Sequence, residues 1–177
     1  MAQVITRHNK QVSKKTEQTA PPAKSCNCQK ANLPCIMGGK CVEGNVVYQG
    51  AVTRHDTGQT DFYTGLSEPS WKLRYNNHKT NFKNDTRANR TATCLSKHIW
   101  KLNDKKIQYS LKFIQLAKAP AFNPVTNTCS LCLTEKYFIM FKSEGTNINH
   151  RSEFFSGCRH KAKLLLCAPE KKAKPKS

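Results

Sequence analysis

The pattern of apolar and polar residues along the chain predicts three short strands. Val46–Thr53 is rich in β-branched residues, and Asp61–Gly65 follows it after His-Asp-Thr-Gly at 55–58. Because these four residues are typical of turns, the first two strands are predicted to form a hairpin. A third strand is predicted at Ile107–Phe113, where every second residue is apolar.

A spacing of three or four residues between apolar positions predicts two helices, and a third helix is predicted from a segment that is apolar on most sides. Ser67 can cap a helix that begins at Glu68-Pro69, since Pro is tolerated in a first turn. The apolar face of this helix contains Trp71, Tyr75, His78 and Phe82. Further helices are predicted at Ala92–Asp104 and Leu131–Lys142. The order β-β-α-α-β-α predicts a small α+β fold, with a three-stranded antiparallel sheet flanked by helices.

The net charge of the chain indicates that this small domain binds a polyanion. The 177 residues have a net charge of +19, and no apolar run is long enough for a membrane helix or a signal peptide. Residues 1–25 and 169–177 are predicted to be disordered basic tails, yet Lys72–Lys118 alone has twelve basic and two acidic side chains. A nucleic acid is therefore the predicted partner. If it is DNA, as the resemblance described below implies, the residues predicted to contact it are Lys72, Lys79, Lys83, Arg87, Arg90, Lys97 and Lys101.

The nine cysteines predict metal binding rather than a disulfide framework, because their number is odd and no secretory signal is predicted. In segment 26–44, a predicted zinc knuckle, the ligands are Cys26, Cys28, Cys35 and Cys41. A second predicted zinc group consists of Cys129, Cys132, Cys158 and His160. The alternatives are incidental thiols in the knuckle and, for Cys132, a place in the core of its helix. Cys94 and Cys167 are predicted to be free thiols.

An ordered set of polar residues extends through the segment predicted to be the main domain, 45–168. It consists of Val46-Val47-Tyr48, Tyr63-Thr64-Gly65, Arg74 with His78 four residues later, Glu135 and Asn149. This set resembles the GIY-YIG nuclease family, in which two tyrosines lie on a hairpin and an Arg, a His and a Glu lie on the helices that follow. The first tripeptide reads Val-Val-Tyr where the family has Gly-Ile-Tyr, and the second reads Tyr-Thr-Gly where it has Tyr-Ile-Gly.

The resemblance implies a metal-dependent hydrolysis of phosphodiesters. Glu135 would hold Mg²⁺ or Mn²⁺, and Arg74 would offset the charge of the scissile phosphate. Tyr48, its pKa lowered beside the metal and Arg74, would act as general base. Two further residues, Tyr63 and His78, would orient water or phosphate, and Asn149 would fix a neighbour by hydrogen bonds. The alternative for the tyrosines is packing in the core.

A narrower resemblance is to the C-terminal endonuclease of Penelope-like retroelements. It rests on the Cys-x-Cys opening, Arg-Tyr-x-x-His-Lys at 74–79, Ser-Lys-x-Ile-Trp-Lys-Leu at 96–102 and Cys-x-Leu-Cys-x-x-Glu-Lys at 129–136. This resemblance implies a reverse transcriptase in a parent element and an intracellular, nuclear location. A DNA-nicking endonuclease is the leading hypothesis. The rivals are an inactive zinc-stabilised nucleic-acid-binding module and a small basic structural protein such as a ribosome component.

Overall fold

The predicted order of elements is confirmed, and one short strand is added at its end. The computed structural model describes residues 26, 28, 34–83, 92–141, 145–149, 158 and 160. The two predicted tails, Arg87, Arg90 and Cys167 lie outside these residues. The elements are β1 (Val46–Arg54), β2 (Thr60–Ser67), α1 (Trp71–Lys83), α2 (Cys94–Asp104), β3 (Tyr109–Lys118), α3 (Ser130–Phe141) and β4 (Thr146–Asn147).

The sheet is mixed and has four strands in the order β3-β1-β2-β4. Strand β1 is antiparallel to β2 and to β3, as predicted for the hairpin and the third strand. Strand β4 pairs with β2 in parallel, through Asp61 with Thr146 and Phe62 with Asn147. The prediction of a three-stranded antiparallel sheet is therefore wrong in these two respects. A two-residue Thr-Asn strand is too short to show a period of two in the sequence.

Alternation along β1 divides the core between the two faces of the sheet. On one face Val46, Tyr48 and Val52 pack with residues of α1, α2 and β3, including Trp71 and Leu95. On the other face Val47 packs with the start of α3 and the segment before it, a smaller cluster that includes Cys129, Leu131, Cys132 and Cys158. The predicted arrangement of helices flanking a sheet is thus confirmed. No helix in the described ranges is long and apolar enough to span a bilayer.

Helix α1 begins at Trp71, three residues after its predicted start at Glu68. The Ser67 hydroxyl donates to the Pro69 carbonyl at 2.9 Å, and Ser67 lies four residues before the helix, outside the N-cap position. The knuckle takes that role, because Trp71 N donates to Glu43 O at 2.8 Å and Lys72 N to Cys41 O at 2.6 Å. Carbonyls distant in sequence therefore satisfy the first N–H groups of α1, which otherwise lack partners.

Candidate functional site

The Tyr48 hydroxyl is the centre of the candidate site. Tyr48 lies on β1, and its side chain is completely buried. Its hydroxyl oxygen is 2.7 Å from Nε2 of His78. Arg74 Nε donates to the same hydroxyl oxygen at 3.2 Å. Residues four apart on a helix lie on one side of it, so α1 directs both Arg74 and His78 at β1. One phenol oxygen thus joins a guanidinium and an imidazole.

Tyr63 adds a second aromatic ring and a second hydroxyl to this centre. Its ring centroid lies 6.3 Å from that of Tyr48 and 6.1 Å from that of His78. Burial acts to lower the pKa of the Arg74 guanidinium, but the charges of Tyr48 and Tyr63 and their hydrogen bonds to Arg74 outweigh burial and raise it. Cross-strand pairing explains the proximity, because Tyr48 lies opposite Gly65 and Tyr63 lies opposite Gly50.

Gly65 is the one residue that fits beneath these two rings. A Cβ atom at this position would lie 2.6 Å from Tyr48 Oη and 2.9 Å from Tyr63 Cε1. Both distances are far below van der Waals contact, so any side chain would displace the tyrosines. The close approach of the two tyrosine rings therefore explains why the last residue of the Tyr63-Thr64-Gly65 tripeptide is a glycine.

Glu135 and Asn149 reach the centre in different ways. Glu135 is a half-buried residue of α3, and its negative charge is one of the effects that raise the pKa of Tyr48. Asn149 binds the backbone of Thr64 in both directions, since its Nδ2 donates to Thr64 O and its Oδ1 accepts from Thr64 N, each at 2.8 Å. Asn149 therefore fixes the strand between Tyr63 and Gly65.

The predicted lowering of the Tyr48 pKa concerns the site with its metal and Arg74, and in the protein by itself the pKa shifts the other way. Burial of the phenol is the largest effect, and it raises the pKa of Tyr48 to about 12 although Arg74 lowers it through its charge and its hydrogen bond. Burial and then the charge of Arg74 lower the pKa of His78 to about 3. At neutral pH the centre is therefore a neutral phenol and a neutral imidazole beside one guanidinium.

The first predicted metal group is confirmed as a cluster of four thiols that could hold a metal such as zinc. Its four sulfur atoms lie within 4.8 Å of one another, with Cys26 Sγ 3.4 Å and Cys28 Sγ 3.6 Å from Cys41 Sγ. Tetrahedral zinc with Zn–S bonds of about 2.3 Å requires S–S distances of about 3.8 Å. The cluster is thus already near the size that zinc needs.

The second predicted group also converges, from two separate segments of chain. Cys132 Sγ and Cys158 Sγ are 3.4 Å apart, and Nδ1 of His160 lies 3.4 Å from Cys158 Sγ and 3.7 Å from Cys129 Sγ. All four ligand atoms lie within 4.8 Å of one another. Three sulfurs and one imidazole nitrogen are a common zinc ligand set. Cys132 is therefore buried in the core, as the alternative prediction expected, and it also belongs to the cluster.

Each cluster contains one thiol whose ionisation the protein already favours. Burial raises the pKa of Cys35, but backbone N–H groups of Met37, Gly39 and Cys41 outweigh it and bring the pKa to about 6. In the second cluster, burial likewise raises the pKa of Cys158. The backbone N–H of His160 and hydrogen bonds with the neighbouring ligands outweigh burial and bring this pKa to about 7. Since thiolates bind zinc, these two sulfurs are the ones most prepared for it.

The predicted DNA-binding lysines divide into two kinds. Lys79 and Lys83 of α1 are exposed, and so are Lys97 and Lys101 of α2. Lys72 is half-buried, and its charge acts on the Cys28 thiol, which places it beside the first cluster. DNA contact by Lys72, as by the other four, stays a prediction.

Two acid–histidine pairs among the described residues were not predicted. His98 Nε2 lies 3.2 Å from the buried Asp61 carboxylate, and His160 Nε2 lies 2.8 Å from Glu68 Oε1. In both pairs the partners are distant in sequence, so no local spacing could have indicated them.

Comparisons with family models, curated proteins and solved structures give no significant match, so the interpretation rests on this geometry.

Proposed function

We propose that this protein is a metal-dependent DNA endonuclease that nicks a strand by hydrolysis of a phosphodiester, with the catalytic residues of a GIY-YIG-type site. The observation that carries the proposal is the Tyr48 oxygen that joins Arg74 and His78, close enough to Glu135 to respond to its charge. The exposed lysines of α1 and α2 and the charge of +19 suit a phosphate backbone. A nuclear location and a reverse transcriptase in a parent element stay predictions.

Glu135 is the residue that would hold Mg²⁺ or Mn²⁺. In the described ranges, the two cysteine clusters are the only groups of three or more converging His, Cys, Asp or Glu ligands, so Glu135 belongs to no carboxylate cage. One carboxylate suits Mg²⁺, which usually keeps several waters and takes substrate phosphates as its other ligands. The ion would offset charge on the phosphate and lower the pKa of its bound water.

Arg74 is the residue that would bind the scissile phosphate. Its Nε is held by Tyr48, and its side chain also bonds Tyr63, so the guanidinium is fixed before substrate arrives. A guanidinium has five N–H donors, and those beyond the tyrosine contacts suit phosphate oxygens. With a pKa of about 12, Tyr48 by itself acts at neutral pH as a support for Arg74, and its use as a general base requires additional positive charge nearby.

A zinc-stabilised nucleic-acid-binding module without catalysis is the second candidate. The observation that favours it is the burial of Tyr48 and His78, which are 0% and 1% exposed. A hydroxyl and an imidazole this deeply buried have little access to a water molecule, and they suit a structural role. Both candidates share the DNA-binding lysines and the two clusters, so only a measurement of cleavage separates them.

The test is nicking of supercoiled plasmid by zinc-loaded protein, with and without added Mg²⁺. We expect Mg²⁺-dependent nicking that Glu135→Ala abolishes, while DNA affinity stays equal or rises because a negative charge is lost. Arg74→Ala should reduce the rate by about 100-fold or more, as removal of a preorganised donor does. The matched control is Arg54→Ala, since Arg54 is bound by Asp56 at 2.7 Å on the hairpin turn. DNA binding without cleavage under any of these conditions would establish the second candidate.

A further inference from the structure

The segment 68–72, which leads from β2 into the first residues of α1, is attached to both cysteine clusters. On one side Asn45 N donates to the Glu68 carbonyl at 3.0 Å, and Lys72 N donates to Cys41 O, the carbonyl of a first-cluster ligand. On the other side, Oε1 of the Glu68 carboxylate lies 2.8 Å from Nε2 of His160, a ligand of the second cluster. The backbone of this segment thus joins one cluster and a side chain joins the other.

His160 uses both of its ring nitrogens. Nδ1 faces the sulfurs of Cys129 and Cys158, and Nε2 faces Glu68. Phe122 stacks on the imidazole with ring centroids 4.7 Å apart and planes 6° from parallel, which limits rotation of the ring. With Nε2–H donating to Glu68, the lone pair of the neutral imidazole is on Nδ1, where the cluster needs it.

We propose that Glu68 is the positioning residue that holds His160 as the Nδ1 ligand of the second cluster and connects metal bound there to the start of α1. A carboxylate that accepts the other N–H of a ligating histidine fixes its tautomer and orientation and raises its basicity as a ligand. Any effect of this connection on DNA cleavage rests on the proposed function. The effects on metal binding and on α1 do not.

The connection matters because α1 begins a few residues after Glu68, and its first turns contain residues that contact Tyr48. Trp71, the first residue of the helix, packs on Tyr48 with ring centroids 4.0 Å apart. Arg74 follows one turn later and bonds the same tyrosine. A turn that loosens at Glu68 would therefore shift the beginning of the helix that places Arg74 on Tyr48.

The experiment compares Glu68→Ala and Glu68→Gln with wild type, and uses Glu43→Ala as the matched control. Glu43 is a neighbouring acid that pairs with Lys118 at 3.6 Å, and its backbone acceptor for Trp71 is kept when alanine replaces it. Co²⁺ replaces zinc, because a four-sulfur site and a site of three sulfurs and one nitrogen have different visible spectra. Each cluster can then be titrated separately in one protein.

We expect Glu68→Ala to weaken metal binding at the three-sulfur, one-nitrogen site by about 10- to 100-fold, with the four-sulfur site unchanged. Glu68→Gln keeps an acceptor oxygen, so its metal affinity at this site should also fall, but by less. If the alanine variant does not fold, the glutamine variant serves as the test. Glu43→Ala should match wild type at both sites. Unchanged affinity at the second site in both Glu68 variants would overturn the positioning role.

The link to α1 has its own measurement, amide hydrogen exchange of the segment 68–75. In Glu68→Ala with both sites saturated by zinc, exchange in this segment should be faster than in Glu43→Ala, while exchange in α2 stays the same. Equal exchange in the two variants would overturn the link and leave only a role in metal binding. Neither readout depends on nuclease activity, so failure of the proposed function would be seen separately in the plasmid assay.

Discussion

His78 should make the stability of this protein depend on pH in a way that one substitution removes. The side chain is 1% exposed, and its Nε2 lies 2.7 Å from Tyr48 Oη. Burial, and secondarily the charge of Arg74, lowers its pKa from 6.5 to about 3. The folded protein therefore keeps this imidazole neutral at pH values where the unfolded chain protonates it.

The magnitude follows from the two pKa values. Because the folded pKa is the lower one, the unfolded state binds more protons, and stability rises with pH. The contribution of His78 is complete above pH 6.5 and is lost as the pH falls towards 3. One pKa unit corresponds to about 1.4 kcal/mol, so lowering the pH from 7.5 to 5.5 should reduce the free energy of unfolding by about 1.4 kcal/mol through this group. For a chain of this size that is a shift of about 3 to 6 °C in Tm.

The assay is urea unfolding followed by tryptophan fluorescence at pH 7.5, 6.5 and 5.5, with constant excess zinc. His78→Gln is the test variant, because glutamine can keep a hydrogen bond to Tyr48 and does not titrate. Ligands of the two clusters titrate equally in both proteins, so their effect cancels in the difference. The matched control, His55→Gln, changes an exposed histidine and should keep the wild-type pH dependence.

Identical pH dependence in His78→Gln and wild type would refute this reasoning. It would mean that the imidazole is hydrated in the folded state, and that the contact with Tyr48 is not formed as described. A difference of about 1.4 kcal/mol across the two pH units would instead establish a buried neutral His78.

Three other predictions test the surface, the second cluster and the steric fit. Replacing Lys79 and Lys83 together by Ala should weaken DNA binding equally for all sequences and reduce the salt slope by about 2; an unchanged slope in binding titrations would place the DNA elsewhere. Cys132→Ser should lower zinc content, measured by metal analysis, together with Tm, and normal zinc content would exclude Cys132 as a ligand. Gly65→Ala, with a Cβ 2.6 Å from Tyr48 Oη, should lower the free energy of urea unfolding by about 1 to 3 kcal/mol, and wild-type stability would contradict the clash.

Most of the fold could be predicted because its elements have strong local patterns. The β-branched run of β1 and the spacing of three or four residues on the face of α1 both lie where the sequence places them. The start of α1 could not be predicted, since its first N–H groups bond carbonyls of Cys41 and Glu43. Local capping rules favour Ser67, and a tertiary contact overrides them.

The candidate site shows the same division between local and distant information. The ligands of both clusters could be predicted, because cysteine spacing is local and few other roles suit clustered thiols. The pKa of Tyr48 could not, since it depends on burial that only the packing of α1 against the sheet reveals. Glu68 was not predicted as a partner of His160, because nothing in the sequence connects two residues so far apart.

The two clusters differ in how much of the chain must be assembled before each is complete. The ligands of the first lie within a separation of 15 residues, whereas Cys129 and His160 are separated by 31. The carboxylate that orients His160 is about 90 residues away from it in the chain, and loop closure of that length costs more entropy than a local one. Metal can therefore enter the first cluster while the rest of the chain is still unfolded. The second closes a longer loop, and its His160 also contacts Glu68 between β2 and α1. Its tightest metal binding therefore develops only after these distant segments have met.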